Sequence, residues 1–90
     1  MSARCRIPGD VACARVDDGA VLLHMGTKHY FSLNETGAEI WRLLEEGTAV
    51  DEIPQRLSER FDVTADDARG AVDELIRALV AEQLLEIAQS

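Results

Sequence analysis

Apolar positions along the chain change rhythm at Asn34. Before it, short β-friendly runs are broken by Gly and Asp; after it, apolar residues recur at helical spacing almost to the C-terminal end. The first part therefore predicts strands and the second helices. Residues 11–16 and 20–25 flank Asp17, Asp18 and Gly19, and Asp18-Gly19 is a hairpin signal because Gly tolerates positive φ. A second turn, Gly26-Thr27-Lys28, leads into His29-Tyr30-Phe31-Ser32-Leu33, where aromatic enrichment and alternation predict a third strand. Period-two alternation puts His29, Phe31 and Leu33 on one face and Lys28, Tyr30 and Ser32 on the other.

Asn34 reads as a helix N-cap, with Glu35 favourably placed at the positive end of the helix that follows. Ala38, Ile40, Trp41 and Leu44 supply its apolar face, and Gly47 is a natural left-handed stop. For the second helix, with Ile53, Leu57 and Phe61 on its face, Asp51 is the favoured cap, which makes Pro54 the third helical residue. Thr64 followed by Asp67 resembles a capping box. It opens the most regular stripe of the chain: Ala68, Ala71, Val72, Leu75, Ile76, Leu79 and Val80. That helix should end near Glu82 or Gln83, leaving Leu84, Leu85 and Ile87 to fold back over the core. The expected class is α+β: a three-stranded antiparallel sheet followed by three helices, similar in order to a winged helix-turn-helix.

Ninety residues suffice for one domain, expected to span residues 1–90 with an ordered core over about 9–87. At 47% hydrophobic and 29% charged, the chain has the balance of a folded globular domain. Nine Lys and Arg against seventeen Asp and Glu leave a formal charge of −8, which repels phosphate backbones and favours neutral or basic partners. A winged-helix DNA regulator needs a basic recognition helix, whereas residues 64–82 hold Asp66, Asp67, Asp73, Glu74 and Glu82 against only Arg69 and Arg77. No apolar run is long enough to span a membrane, and the opening MSARCRIPGD has no apolar segment behind its arginines. A cytoplasmic protein is expected.

The chemistry of an active site is missing from the sequence. Neither GxSxG, GxGxxG nor GxxxxGK occurs, and a Cys–His dyad has no evident orienting residue. Cys5 and Cys13 lack CxxC spacing and read as reduced thiols. A metal or redox site on Cys13, His24 and His29 requires three strands to converge, so ordinary sheet residues are the preferred reading. No catalytic residue, metal or cofactor is expected. What a small sheet does offer is an exposed edge, whose unpaired amides and carbonyls accept an extended peptide as an added strand.

The run from Tyr30 through Leu33-Asn34-Glu35-Thr36-Gly37-Ala38-Glu39-Ile40-Trp41, followed by Leu43-Leu44-Glu45-Glu46-Gly47, resembles the PqqD-like family of leader-peptide recognition elements. The pattern over residues 50–63 and the leucines between Leu75 and Leu85 extend the likeness to roughly residues 9–87. Two departures stand out: Gln83 where the family often has Gly, and Pro54 where helix formers are usual.

The resemblance implies a non-catalytic protein that binds the leader of a ribosomally made precursor peptide as an extra strand beside the third strand, in a groove against the third helix. It is closest to the free-standing leader-binding proteins of lasso-peptide pathways, whose partners are a cysteine protease that removes the leader and a cyclase that closes the ring. A PQQ-pathway peptide carrier serving a radical SAM enzyme is the alternative. Carried over residue by residue, the docking edge is Lys28, His29, Tyr30, Phe31, Ser32 and Leu33. Val72, Ile76 and Leu79 line pockets on the helix, and Arg69 and Asp73 stand at the rim. Which strand face meets the peptide is left open. On this assignment, Val72→Asp or Ile76→Asp leaves a folded protein that no longer binds peptide.

Overall fold

The computed structural model describes residues 4–88; residues 1–3 and 89–90, the ends of the expected domain, lie outside that range. The chain runs β1 (Arg4–Arg6), β2 (Val11–Val16), β3 (Gly19–His24), β4 (His29–Leu33), α1 (Glu35–Glu45), α2 (Ile53–Arg60), α3 (Ala65–Ala81) and β5 (Glu86–Ala88), with a 3₁₀ turn at Val50–Glu52 before α2. Strands β2, β3 and β4 form an antiparallel sheet in that order, so β3 is central and β2 and β4 are its edges. The α+β class and the three-stranded meander are those the apolar rhythm predicts. Strands β1 and β5, which pair with each other in a separate two-stranded ribbon, are additions to it.

Register follows from the two hairpins. Val16 faces Gly19 across a two-residue turn of Asp17 and Asp18, and His24 faces His29 across Met25–Lys28. Gly19 does not take the positive φ for which the sequence recommends it. It is required for another reason: a Cβ there would lie 2.1 Å from the Leu33 carbonyl oxygen, so only glycine lets the turn pass the end of β4. In the second hairpin Lys28, not Gly26, is left-handed, at φ 66°. The His24 ring organises that turn, its Nδ1 accepting from the amides of Gly26 and Thr27 at 3.1 Å each.

One face of the sheet buries Ala20, Leu22 and Leu33 beneath α1, which contributes Ala38, Ile40, Trp41, Leu43 and Leu44 to the core. Ile53 and Leu57 of α2, Ala68, Val72, Ile76 and Leu79 of α3, and Leu84 and Leu85 complete it. Each large aliphatic side chain removed from water here contributes roughly 1.5–3 kcal/mol. Trp41 is a core residue, 1% exposed, with its indole N–H unpaired among the described residues.

Helix ends account for most of the local detail. Asn34 Oδ1 accepts from the Gly37 amide at 2.8 Å, and Thr64 Oγ1 from the Asp67 amide at 3.1 Å, as capping residues should. Helix α1 closes with Thr48 N donating to Leu43 O and Gly47 N to Leu44 O, around Gly47 at φ 85°. Helix α3 closes identically: Leu84 N donates to Leu79 O and Gln83 N to Val80 O, with Gln83 at φ 62°. The helix therefore stops at the same turn that a glycine would give, and Gln83 bears the strain of a left-handed non-glycine backbone.

Two details differ from the sequence reading. Asp51 does not cap α2; it sits inside the 3₁₀ turn, Glu52 takes the cap position without a side-chain bond, and Pro54 falls within the first two helical residues, where its missing amide leaves no intrahelical bond unmade. Ile87 is 47% exposed in β5, where it stands opposite Cys5 of β1 instead of joining Leu84 and Leu85 in the core.

An ion cluster around the buried Glu39 carboxylate ties α1 to α2. Glu39 is 8% exposed, accepts from Arg42 Nε at 3.0 Å and Nη2 at 2.5 Å, and has Arg60 Nε at 3.9 Å. The Arg42 hydrogen bonds hold its carboxyl below the usual carboxylate range, against the opposing effect of burial, with the charges of Arg42, Arg60 and Arg15 assisting. Arg42 also bonds Glu46 one turn on.

Candidate functional site

Among the described residues strand β4 has a strand neighbour on one side only, and on its open side the chain builds a cleft of about 740 Å³. Ser32, Leu33, Asn34, Thr36, Gly37 and Ile40 form one wall, from the end of β4 into the first turns of α1. Ala71, Glu74, Leu75 and Ala78 of α3 form the other. The cleft stays open because Gly37, Ala71 and Ala78 are small where larger side chains would meet. At the start of β4, His29 Nδ1 lies 4.0 Å from Glu82 Oε1, so the strand and the last turn of α3 approach one another there. Glu74 and Glu82 give the helix wall a negative margin.

The alternation of β4 decides which of its side chains belong to this side. Phe31 is half-buried against the core and Leu33 is 6% exposed, both on the helix side, while Tyr30 is 72% exposed on the opposite face. Ser32 shares the Tyr30 face and reaches the cleft only at the strand's edge. His29 is exposed at one end, and Lys28 lies just before the strand, in the turn. The strand residues singled out by the sequence are thus together on one free edge.

The helix residues are not those the sequence singled out. Val72 and Leu79 are 1% and 0% exposed and Ile76 7%, so all three fill the core rather than line this cleft. Ala71, Leu75 and Ala78 lie roughly 100° around the helix from them, which is one residue's rotation. Arg69 and Asp73 project from the other flank of the core stripe, away from the cleft. Arg69 approaches Asp66 at 3.8 Å, and Asp73 lines a separate cleft with Cys5, Val50, Ile76, Arg77 and Ile87. Glu74 takes the rim position instead. The usable signal in the sequence was smallness: Ala71 and Ala78 flank Leu75 at spacings of four and three, alongside the bulkier stripe.

Other groups able to do chemistry are otherwise engaged. The lone pair of His24 Nδ1 is committed to two backbone amides. Among the described residues, no group of three or more His, Cys, Asp or Glu is placed to hold a metal ion. Cys5 and Cys13 are free thiols; burial raises the pKa of each, and for Cys13 the nearby Glu45 carboxylate adds to the rise while Arg15 opposes it. Neither has the lowered pKa of a nucleophilic cysteine. Among the described residues no helix is long and apolar enough to cross a membrane.

Two solved structures share this architecture. TbiB1 in complex with the TbiA(β) leader peptide is 37% identical, with a TM-score of 0.83 over 90% of this chain and 94% of that one. A lasso peptide synthetase B1 complexed with its leader peptide is 27% identical, with a TM-score of 0.79 over 92% of this chain and 98% of that one. No curated protein matches the chain. A family model described as coenzyme PQQ synthesis protein D (PqqD) matches residues 19–85. That span opens at Gly19, where β3 slips past the Leu33 carbonyl, and closes at Leu85 behind α3, taking in both walls of the cleft; the chain belongs to the PqqD family.

Proposed function

We propose that the protein binds the leader segment of a ribosomally made precursor peptide, which adds as a fourth strand on the free edge of β4 and lies in the cleft against α3. The observation that carries this reading is the open edge of β4 facing a cleft with small side chains on its helix wall. The likeness to TbiB1 supports it, since that protein is held in complex with a leader peptide. Main-chain pairing along residues 29–33 supplies affinity without special residues. Alternate guest side chains enter the cleft over Leu33, Ile40 and Leu75 and supply selectivity. The negative margin at Glu74 and Glu82 favours a neutral or basic guest over an acidic one.

On this reading the protein is not an enzyme. It presents the peptide in the cytoplasm to separate enzymes, a cysteine protease that removes the leader and a cyclase that closes the ring. Both solved relatives named for their ligand carry leader peptides, and one is a lasso peptide synthetase component, which favours the lasso pathway. The family model's description keeps a PQQ-pathway carrier serving a radical SAM enzyme as the second reading.

Fluorescence anisotropy tests the proposal with two labelled probes, the TbiA(β) leader and the leader of the precursor encoded in the same genome. Saturable binding of at least one, competed by the unlabelled peptide, is the expected result. Absence of binding to both sinks it. Tighter binding of a PQQ precursor peptide than of either leader moves the protein to the second reading.

A further inference from the structure

The opposite face of the β2–β3–β4 sheet is unlike the rest of the surface. Two cross-strand rows, Ala12–Leu23–Tyr30 and Ala14–Val21–Ser32, point away from α1. Neither contains a charge, in a chain of which 29% is charged. Ala12, Ala14, Tyr30 and Ser32 are exposed and Val21 and Leu23 only half-buried, so among the described residues no element covers this face. An antiparallel sheet with one face in water ordinarily alternates apolar inward with polar outward. Here the outward set is mostly apolar, and the fold has no need of it.

We infer that this outer face is the docking surface for the enzyme that processes the bound peptide, an inference that rests on the strand-addition reading above. Two arguments select that occupant. Three strands at about 4.8 Å spacing and five residues at about 3.4 Å rise give a face of roughly 250 Å². A stable interface buries about 800 Å² on each partner, so this face holds a partner only together with surface that the bound guest adds, which a second copy does not require, and copies carrying −8 each repel. Second, the face is continuous with the peptide. A strand added to β4 alternates its side chains between the cleft and the outer surface, so half of the guest's side chains extend this same face beyond Tyr30. An enzyme seated there touches adaptor and guest together and thereby distinguishes the loaded adaptor from the empty one. Its contact surface is an apolar patch within basic surroundings, complementary to an apolar face on an acidic protein.

The test uses Leu23→Lys and, at an exposed position, Ala14→Lys. Three quantities are read: anisotropy with the labelled leader of the same-genome precursor, the rate at which the purified leader protease of that genome cleaves the precursor, and the sedimentation coefficient. The expected result is leader affinity within about twofold of wild type and adaptor-dependent cleavage reduced by about tenfold or more. Unchanged cleavage by both variants with affinity intact overturns the docking surface while leaving the peptide reading in place. A wild-type dimer that either variant dissociates also overturns it, because a second copy is then the occupant. Failure of the wild type to bind the leader removes the peptide reading and this inference together.

Discussion

Two neighbouring stripes of α3 divide the work of the molecule. Val72, Ile76 and Leu79 are locked into the core, whereas Ala71, Leu75 and Ala78, about 100° around the same helix, stop short of β4 and leave a cleft. The first stripe is large and aliphatic; the second is small at both ends. The contrast teaches that stability and recognition can share one helix when volume, rather than polarity, separates them. Hydrophobic periodicity registers both stripes as apolar and cannot tell which is filled.

The hardest way to break that contrast is a charge in the filled stripe. Val72→Asp should destabilise the protein by about 4 kcal/mol or more, because an unpaired carboxylate would be buried among core leucines. Denaturant titration or a thermal melt should therefore find it largely unfolded. A folded Val72→Asp that has merely lost peptide binding, as the sequence alone suggests, would restore Val72 to the cleft.

Next in size is the ion cluster, which belongs to neither stripe. Glu39→Ala should cost about 1–3 kcal/mol at neutral pH, through the lost charged hydrogen bonds to Arg42. The folded-state pKa of Glu39 is lowered, so its contribution is present above its unfolded value and is lost as pH falls through the folded one. The difference between Glu39→Ala and wild type should accordingly shrink in melts taken at progressively more acidic pH, while leader affinity at neutral pH is unchanged.

Filling the open stripe should do the reverse. Ala71→Phe, at an exposed position on the cleft wall, should melt within a few degrees of wild type yet bind leader about tenfold more weakly, some 1.4 kcal/mol. Calorimetry alongside anisotropy separates the two effects. The smallest change is expected at the end of the helix: Gln83→Gly relieves a left-handed non-glycine backbone and should stabilise by about 0.5–1 kcal/mol, with peptide affinity untouched.

Local chemistry made much of the fold legible. Asn34, Gly47 and Thr64 each carry their signal in their own side chain or its absence, and each sits where that signal places it. The strand alternation likewise assigned Phe31 and Leu33 to one face and Tyr30 to the other. Features that depend on a distant partner were not legible. The strands Arg4–Arg6 and Glu86–Ala88 are three residues each, too short for periodicity, and exist only through one another. Gly19 was recognised as a turn residue but for the wrong cause, since the clash that demands it is with Leu33, fourteen residues on. The site fell between these cases. Its strand edge was readable, but Val72, Ile76 and Leu79 outrank Ala71 and Ala78 on any scale of hydrophobicity, and the flank on which Arg69 and Asp73 stand was fixed only by how α3 packs on α2.

The central claim is that the guest peptide pairs with the open edge of β4. Amide hydrogen exchange measured with and without the leader peptide of the same-genome precursor tests it most directly. Leader binding should slow exchange at outward-facing amides within residues 29–33 and leave those of β2, the other edge, as they were. Protection at residues 11–16 with none along β4 would contradict it.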